Sequence, residues 1–196
     1  PVSGGRWSEV TRKYGIRHKM ARFSGKNEEV LFLSDESGEM ELWTTGKDGF
    51  SAPQQLTTGS SVLIMGFVPS PDGKYIAYTE KDYLLKLYDT QKKTSVIIGR
   101  DSTGGFGDLS WSSDSKWLAS TDPAANQATQ IKVMNVETRQ SYTLTSDRTE
   151  SYRPVFSPDG KWLYFVSDRT FNTVVGSPWG PRQPEPYYNK TAKIYQ

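Results

Sequence analysis

The sequence contains no cysteine and a single histidine, His18. The first absence removes disulfides, thiolate nucleophiles, zinc–thiolate centres and iron–sulfur clusters together. The second leaves one base for a serine-centred nucleophilic mechanism, and it sits between Arg17 and Lys19, the setting of a solvated strand-edge residue. Charge of one sign is lacking as well. The 24 Lys and Arg stand against 22 Asp and Glu, a net charge of +2, with no run of five or six of either sign. We therefore expect neither a nucleic-acid footprint nor a polybasic membrane face. No apolar stretch nears the roughly 20 residues that span a bilayer, and no segment sustains a 3.6-residue period over ten positions, so almost no helix is expected. The chain opens on Pro1 rather than Met, and we expect it to be a piece of a longer reading frame.

What is present is a recurring turn and many aromatic residues. Ser70-Pro71-Asp72-Gly73-Lys74 precedes Tyr75-Ile76-Ala77-Tyr78-Thr79-Glu80, and Ser157-Pro158-Asp159-Gly160-Lys161 precedes Trp162-Leu163-Tyr164-Phe165-Val166-Ser167-Asp168. A decayed copy, Ser112-Ser113-Asp114-Ser115-Lys116, leads into Trp117-Leu118-Ala119, and another falls at Ser24-Gly25-Lys26-Asn27-Glu28. The leading serines lie 46, 42 and 45 residues apart, the period of four-stranded propeller blades. Pro presets the first turn dihedral, Asp bonds the backbone two residues on, and Gly accepts a positive φ. Ser115 at the glycine position predicts a slightly strained turn. Lys86 and Lys132, each between apolar neighbours, read as the wet face of alternating strands. Trp43, Trp111, Trp117 and Trp162 fall on repeat positions and are read as blade-to-blade packing.

The expected fold is all-β: a β-propeller segment of about four blades of four-stranded antiparallel sheet, with repeats near 20–58, 60–99, 105–146 and 150–196. Two closures fit. Trp7 to Arg12 could supply a missing outer strand and close a four-bladed ring, or the chain is part of a six- or seven-bladed ring; beginning and ending mid-element favours the latter. The last copy is interrupted by about 19 residues, within 170–191, that carry Pro178, Pro181, Pro184 and Pro186. This insert reads as an extended, polyproline-like excursion before a third strand at Lys193-Ile194-Tyr195. Its Trp179, Tyr187 and Tyr188 lie outside the repeat and are the candidate interface residues, for another domain or protomer.

The turn followed by an aromatic strand and Ser-Asp resembles the propeller repeats of tricorn protease, TolB and the prolyl oligopeptidases. Phe165-Val166-Ser167-Asp168-Arg169-Thr170-Phe171-Asn172, with the Pro-rich insert and Lys193-Ile194-Tyr195, resembles the closing part of the second, seven-bladed propeller of tricorn-type serine proteases. That resemblance implies a peptidase parent whose catalytic and PDZ-like domains lie outside this chain. The chain would then guide peptide or unfolded polypeptide substrate. The implied partners are those domains and a second copy in a homo-oligomer, and the implied compartment is the cytoplasm. The alternative is a stand-alone TolB-like protein-binding module in the periplasm.

A search for chemistry inside the chain yields no catalytic set, cofactor or metal. Gly176-Ser177-Pro178-Trp179-Gly180 displaces the serine of a nucleophile elbow. One His without Cys builds no zinc cage. Gly104-Gly105-Phe106-Gly107 lacks the Lys-Ser/Thr of a phosphate loop and reads as a blade connection. Asp35, Glu36, Glu39 and Glu41 form a small acidic cluster, read first as a solvated hairpin, and Asn189-Lys190-Thr191 matches a glycosylation sequon.

Overall fold

The computed structural model describes residues 9–25, 29–48, 50–170 and 191–196, together with the backbone of 173–174 and 187–188. Among them every regular element is a β-strand. The chain divides into two compact units, Pro1–Arg100 and Asp101–Gln196.

The first unit holds two four-stranded antiparallel sheets. One runs through β1 (His18–Ser24), β2 (Glu29–Ser34), β3 (Glu41–Gly46) and β4 (Gln54–Gln55); the other through β5 (Ile64–Pro69), β6 (Tyr75–Glu80), β7 (Leu84–Asp89) and β8 (Thr94–Arg100). Strands pair in chain order, as short turns require, and their interiors are rich in β-formers. Register decides which side chains share a face. Leu33 lies opposite Leu42, and Leu31 opposite Thr44. Ile76 lies opposite Tyr88, and Tyr78 opposite Lys86. These faces meet with Met40, Ile64 and Phe67 in one buried cluster, with Leu56 packed against it. Burying each such apolar side chain contributes about 1.5–3 kcal/mol.

The second unit repeats the blade as β9 (Gly107–Trp111), β10 (Trp117–Pro123), β11 (Thr129–Asn135) and β12 (Ser141–Thr143). A further sheet begins with β13 (Ser151–Phe156) and β14 (Leu163–Ser167). The insert then contributes a ribbon of β15 (Thr173–Val174) and β16 (Tyr187–Tyr188), and β17 (Lys193–Tyr195) returns to pair with β14, placing Ile194 opposite Val166.

The shared turn explains the repeat. Ser70 Oγ donates to Asp72 Oδ1 at 2.7 Å and accepts the Tyr75 N–H at 3.0 Å, while Gly73 N–H donates to Ser70 O at 3.0 Å. Ser112 with Asp114 and Trp117, and Ser157 with Asp159 and Trp162, make the same bonds. The Ser112 hydroxyl and the Lys116 N–H hold the Asp114 carboxyl below the ordinary aspartate value, and Ser157 does the same for Asp159. Gly73 and Gly160 sit at φ 73° and 70°, and Ser115 follows them to 61°. The decayed copy thus keeps the turn and accepts the strain expected of a non-glycine residue there.

Three expectations change. The insert is not wholly polyproline-like: 173–174 and 187–188 pair as an antiparallel ribbon. Glu9 to Arg12 form no strand, and Trp7 lies outside the described residues. Trp43 and Trp111 are buried, but Trp162 is 51% exposed. The cause is local. Trp117 is covered by Tyr142 from β12, with ring centroids 6.2 Å apart, whereas β17 pairs only with Phe165 to Ser167 and stops short of Trp162.

Candidate functional site: inner strands and interblade clefts

Within each unit the first strands of neighbouring sheets touch, β1 against β5 and β9 against β13, so the blades fan out from their first strands. Every one of these strands is interrupted by a bulge: between Lys19 and Arg22, between Ile64 and Gly66, opposite Ala119 to Thr121, and between Tyr152 and Val155. A bulge adds an unpaired residue and re-aims its side chain. In three of the four, a non-glycine residue is held at positive φ: Met20 at 56°, Asp108 at 40° and Arg153 at 54°. Their side chains are exposed, as is that of Met65 at the bulge of β5. Neighbouring bulges are linked, since Asp108 Oδ2 accepts the Arg153 N–H at 3.0 Å.

Further out along the blades, two acid–lysine pairs occupy matching places. Lys86 Nζ lies 2.7 Å from Glu80 Oε2, with side chains 24% and 4% exposed. Lys132 Nζ lies 3.2 Å from Asp122 Oδ2, and Ser120 Oγ also donates to Asp122. The two lysines therefore do not mark a wet face. Each satisfies a carboxylate buried within its own blade, which would otherwise be costly to desolvate. Sequence reading missed these pairs; the available signal was an acid at the tenth position after the leading serine, where the other two copies carry Ser34 and Ser167.

Glu80 and Lys86 border a cleft of about 210 Å³ between the two blades of the first unit, together with Glu41, Tyr78 and Ser95. Glu41 is buried; its Oε1 accepts the Ser60 N–H at 2.8 Å and its Oε2 accepts from Thr57 Oγ1. Thr57 Oγ1 also accepts the Leu42 N–H at 2.9 Å, a role that Thr145 repeats for Ile131 in the third blade. Burial, reinforced by Glu80 and Glu41, pushes the Tyr78 phenol up to about 12 despite its bond to Ser95.

The residues singled out from sequence are dispersed. His18 lies obliquely over Phe32, centroids 5.5 Å apart. The acidic cluster separates: Asp35 Oδ1 accepts the Arg17 N–H, Glu36 pairs with Lys13, and Glu41 turns inward. Among the described residues no group of three acids or histidines is arranged to hold a metal. Trp179 and the side chains of Tyr187 and Tyr188 lie outside the described residues.

Known proteins share this fold. The family model of the tricorn protease second beta propeller domain matches residues 1–196. This chain belongs to the tricorn second-propeller family. Tricorn protease homolog 1 of Streptomyces coelicolor is 28% identical over 165 residues, 82% of this chain and 16% of that protein. The crystal structure of the tricorn protease superposes with a TM-score of 0.77 at 18% identity, covering 91% of this chain and 17% of that one. A putative TolB from Agrobacterium tumefaciens follows at 0.64 and 22%, covering 82% and 57%. The fold is thus that of a partial β-propeller, and the chain spans about a sixth of the protease relatives it matches.

Proposed function

We propose that this chain is a non-catalytic propeller portion of a tricorn-like serine peptidase, guiding peptide or unfolded polypeptide towards catalytic groups elsewhere in the parent protein. The observation that supports this reading is the bulge that interrupts the first strand of each blade. Two of these bulges hold a thioether, Met20, and a guanidinium, Arg153, outward at positive φ, a cost in backbone strain. Mixed side chains of this kind, with adaptable methionine among them, suit passing contact with chains of varied sequence. The partners under this reading are the catalytic and PDZ-like domains of the parent and a second copy of it, and the compartment is the cytoplasm. The aromatic residues of the insert, Trp179, Tyr187 and Tyr188, would face the neighbouring domain.

The test uses the full-length protein that carries this chain. Met20→Glu and Arg153→Glu are expected to lower kcat/KM several-fold for a long unfolded substrate and to leave that for a capped dipeptide unchanged. Equal effects on both substrates, or none on either, would overturn the guiding role. The 196-residue chain alone is expected to release no product from peptides. Cleavage retained by the His18→Ala variant would contradict the non-catalytic assignment. Removing Pro178 to Pro186 is expected to weaken association with the adjoining domain more than it lowers the melting temperature.

A further inference from the structure

We infer that Met20 and Met65, side by side on the first strands of the first two blades, form a reversible modification site at which hydrogen peroxide converts both thioethers to sulfoxides. The inference does not rest on the guiding role proposed above. It begins with where the two methionines fall in the ladders. In β1 the register passes from Lys19 opposite Leu33 to Arg22 opposite Leu31, so Met20 has no partner on β2. In β5 it passes from Ile64 opposite Glu80 to Gly66 opposite Thr79, which leaves Met65 without a partner on β6. Both first-strand bulges of this unit thus present a thioether, and the two adjoin: a Cβ placed on Gly66 would lie 3.7 Å from Met20 Cε.

The chain holds four methionines, and the fold sorts them into two kinds. Met20 and Met65 are 48% and 53% exposed, whereas Met40 and Met134 are 6% and 7% exposed. Met40 belongs to the apolar cluster of the first unit. A thioether is oxidised by direct encounter with peroxide, so the accessible pair reacts in the folded protein and the buried pair waits for its blade to open. Sγ attacks one peroxide oxygen and the O–O bond breaks. Sulfur gives up two electrons and gains the S–O bond, and the departing hydroxide takes the remaining proton and leaves as water. The product is a polar, chiral side chain. At Met40 it would set an unpaired oxygen in the core; at Met20 and Met65 water already reaches the side chain and solvates the new oxygen. Peroxide therefore turns the exposed side of two adjoining strands from apolar to polar without loosening the sheets behind them. Sulfoxide reductases, with a thiol as electron donor, reverse the change.

Peptide mapping by mass spectrometry tests this on the full-length protein that carries this chain, over a time course in hydrogen peroxide. Met20 and Met65 are expected to gain one oxygen each at least about tenfold faster than Met40 and Met134, because only the buried pair needs an opening step. The same course in urea should bring all four to a common rate. Sulfoxide reductases with dithiothreitol should restore both exposed thioethers. A double variant, Met20→Leu with Met65→Leu, conserves volume and controls for oxidation elsewhere in the protein. Under the same peroxide its melting temperature should differ from that of the unsubstituted protein by no more than a degree or two. Equal rates for all four methionines in the folded protein, an exposed pair as slow as the buried one, or a rate difference that survives urea would overturn the inference. So would sulfoxides that the reductases leave untouched, or a melting temperature several degrees below that of the double variant. A failed guiding role is read from hydrolysis and this site from mass, so the two failures are distinct.

Discussion

At one position of the third strand the four blades diverge in a paired way. Lys86 and Lys132 stand there in the second and third blades, opposite Tyr78 and Ser120, whereas Trp43 and Tyr195 stand there in the first and fourth, opposite Phe32 and Phe165. Two residues further along the second strand the first pair has Glu80 and Asp122, and the other has Ser34 and Ser167. Acid accompanies lysine, and serine accompanies an aromatic residue. The fourth blade adds a cation from outside the set: Arg169 lies over Tyr195 at 4.5 Å and Phe165 at 5.5 Å, and its Nε donates to Ser167 Oγ. The same backbone position thus accepts either a compensated charge or an aromatic contact, but only when its neighbours change with it.

This comparison can be broken most sharply at Lys86. Lys86→Met leaves the nearly buried Glu80 uncompensated and is expected to cost about 3 kcal/mol in urea unfolding. Adding Glu80→Leu should recover most of that loss, converting the blade to an apolar solution. A double variant as unstable as the single one would show that the pair is more than a compensated charge. Lys132→Met should cost less, about 1–2 kcal/mol, because Lys132 is more exposed and Ser120 still donates to Asp122.

Alkaline titration sharpens the same contrast. Tyr78 stays protonated in the native state, so its contribution is complete below the ordinary tyrosine value of 10.0 and is lost as pH rises towards about 12. Tyr78→Phe should flatten the stability profile in that window. At the acid end, the stability supplied by Asp114 is complete above 3.8 and is lost as pH falls from there towards its lowered native value. Asp114→Asn should therefore reduce the fall in stability below that pH. Arg169→Ala is expected to cost about 1 kcal/mol in the fourth blade. Ser115→Gly is expected to change stability least, with a gain of about 0.5 kcal/mol from relief of the left-handed conformation.

The fold was legible because it is written in local signals. Pro-Asp-Gly turns, alternating apolar strands and a fixed period each dictate a hairpin without reference to distant residues, and even the decayed turn at Ser115 followed the rule. The charged pairs were hidden because their meaning is not local. Lys86 between leucines looks like an exposed alternation until register brings it across from Tyr78 and within reach of Glu80. Trp162 shows the converse: its sequence position equals that of Trp117, but its cover depends on which strand happens to lie beside it. The unpartnered hydroxyl of Thr44 was equally unreadable, whereas that of Ser24 had a signal in the sequence, since Lys26 stands where Asp72 accepts from Ser70.

The bond from Asp108 to Arg153 has a consequence for how such a sequence can drift. The carboxylate grips a main-chain N–H, so the seam between the third and fourth blades asks nothing of the side chain at position 153. Any residue that tolerates the bulge keeps the seam, and proline alone is barred for want of the donor. Asp108 is therefore the partner that the seam constrains, and the exposed side chain at position 153 can serve the contacts proposed above without loosening the joint beneath it.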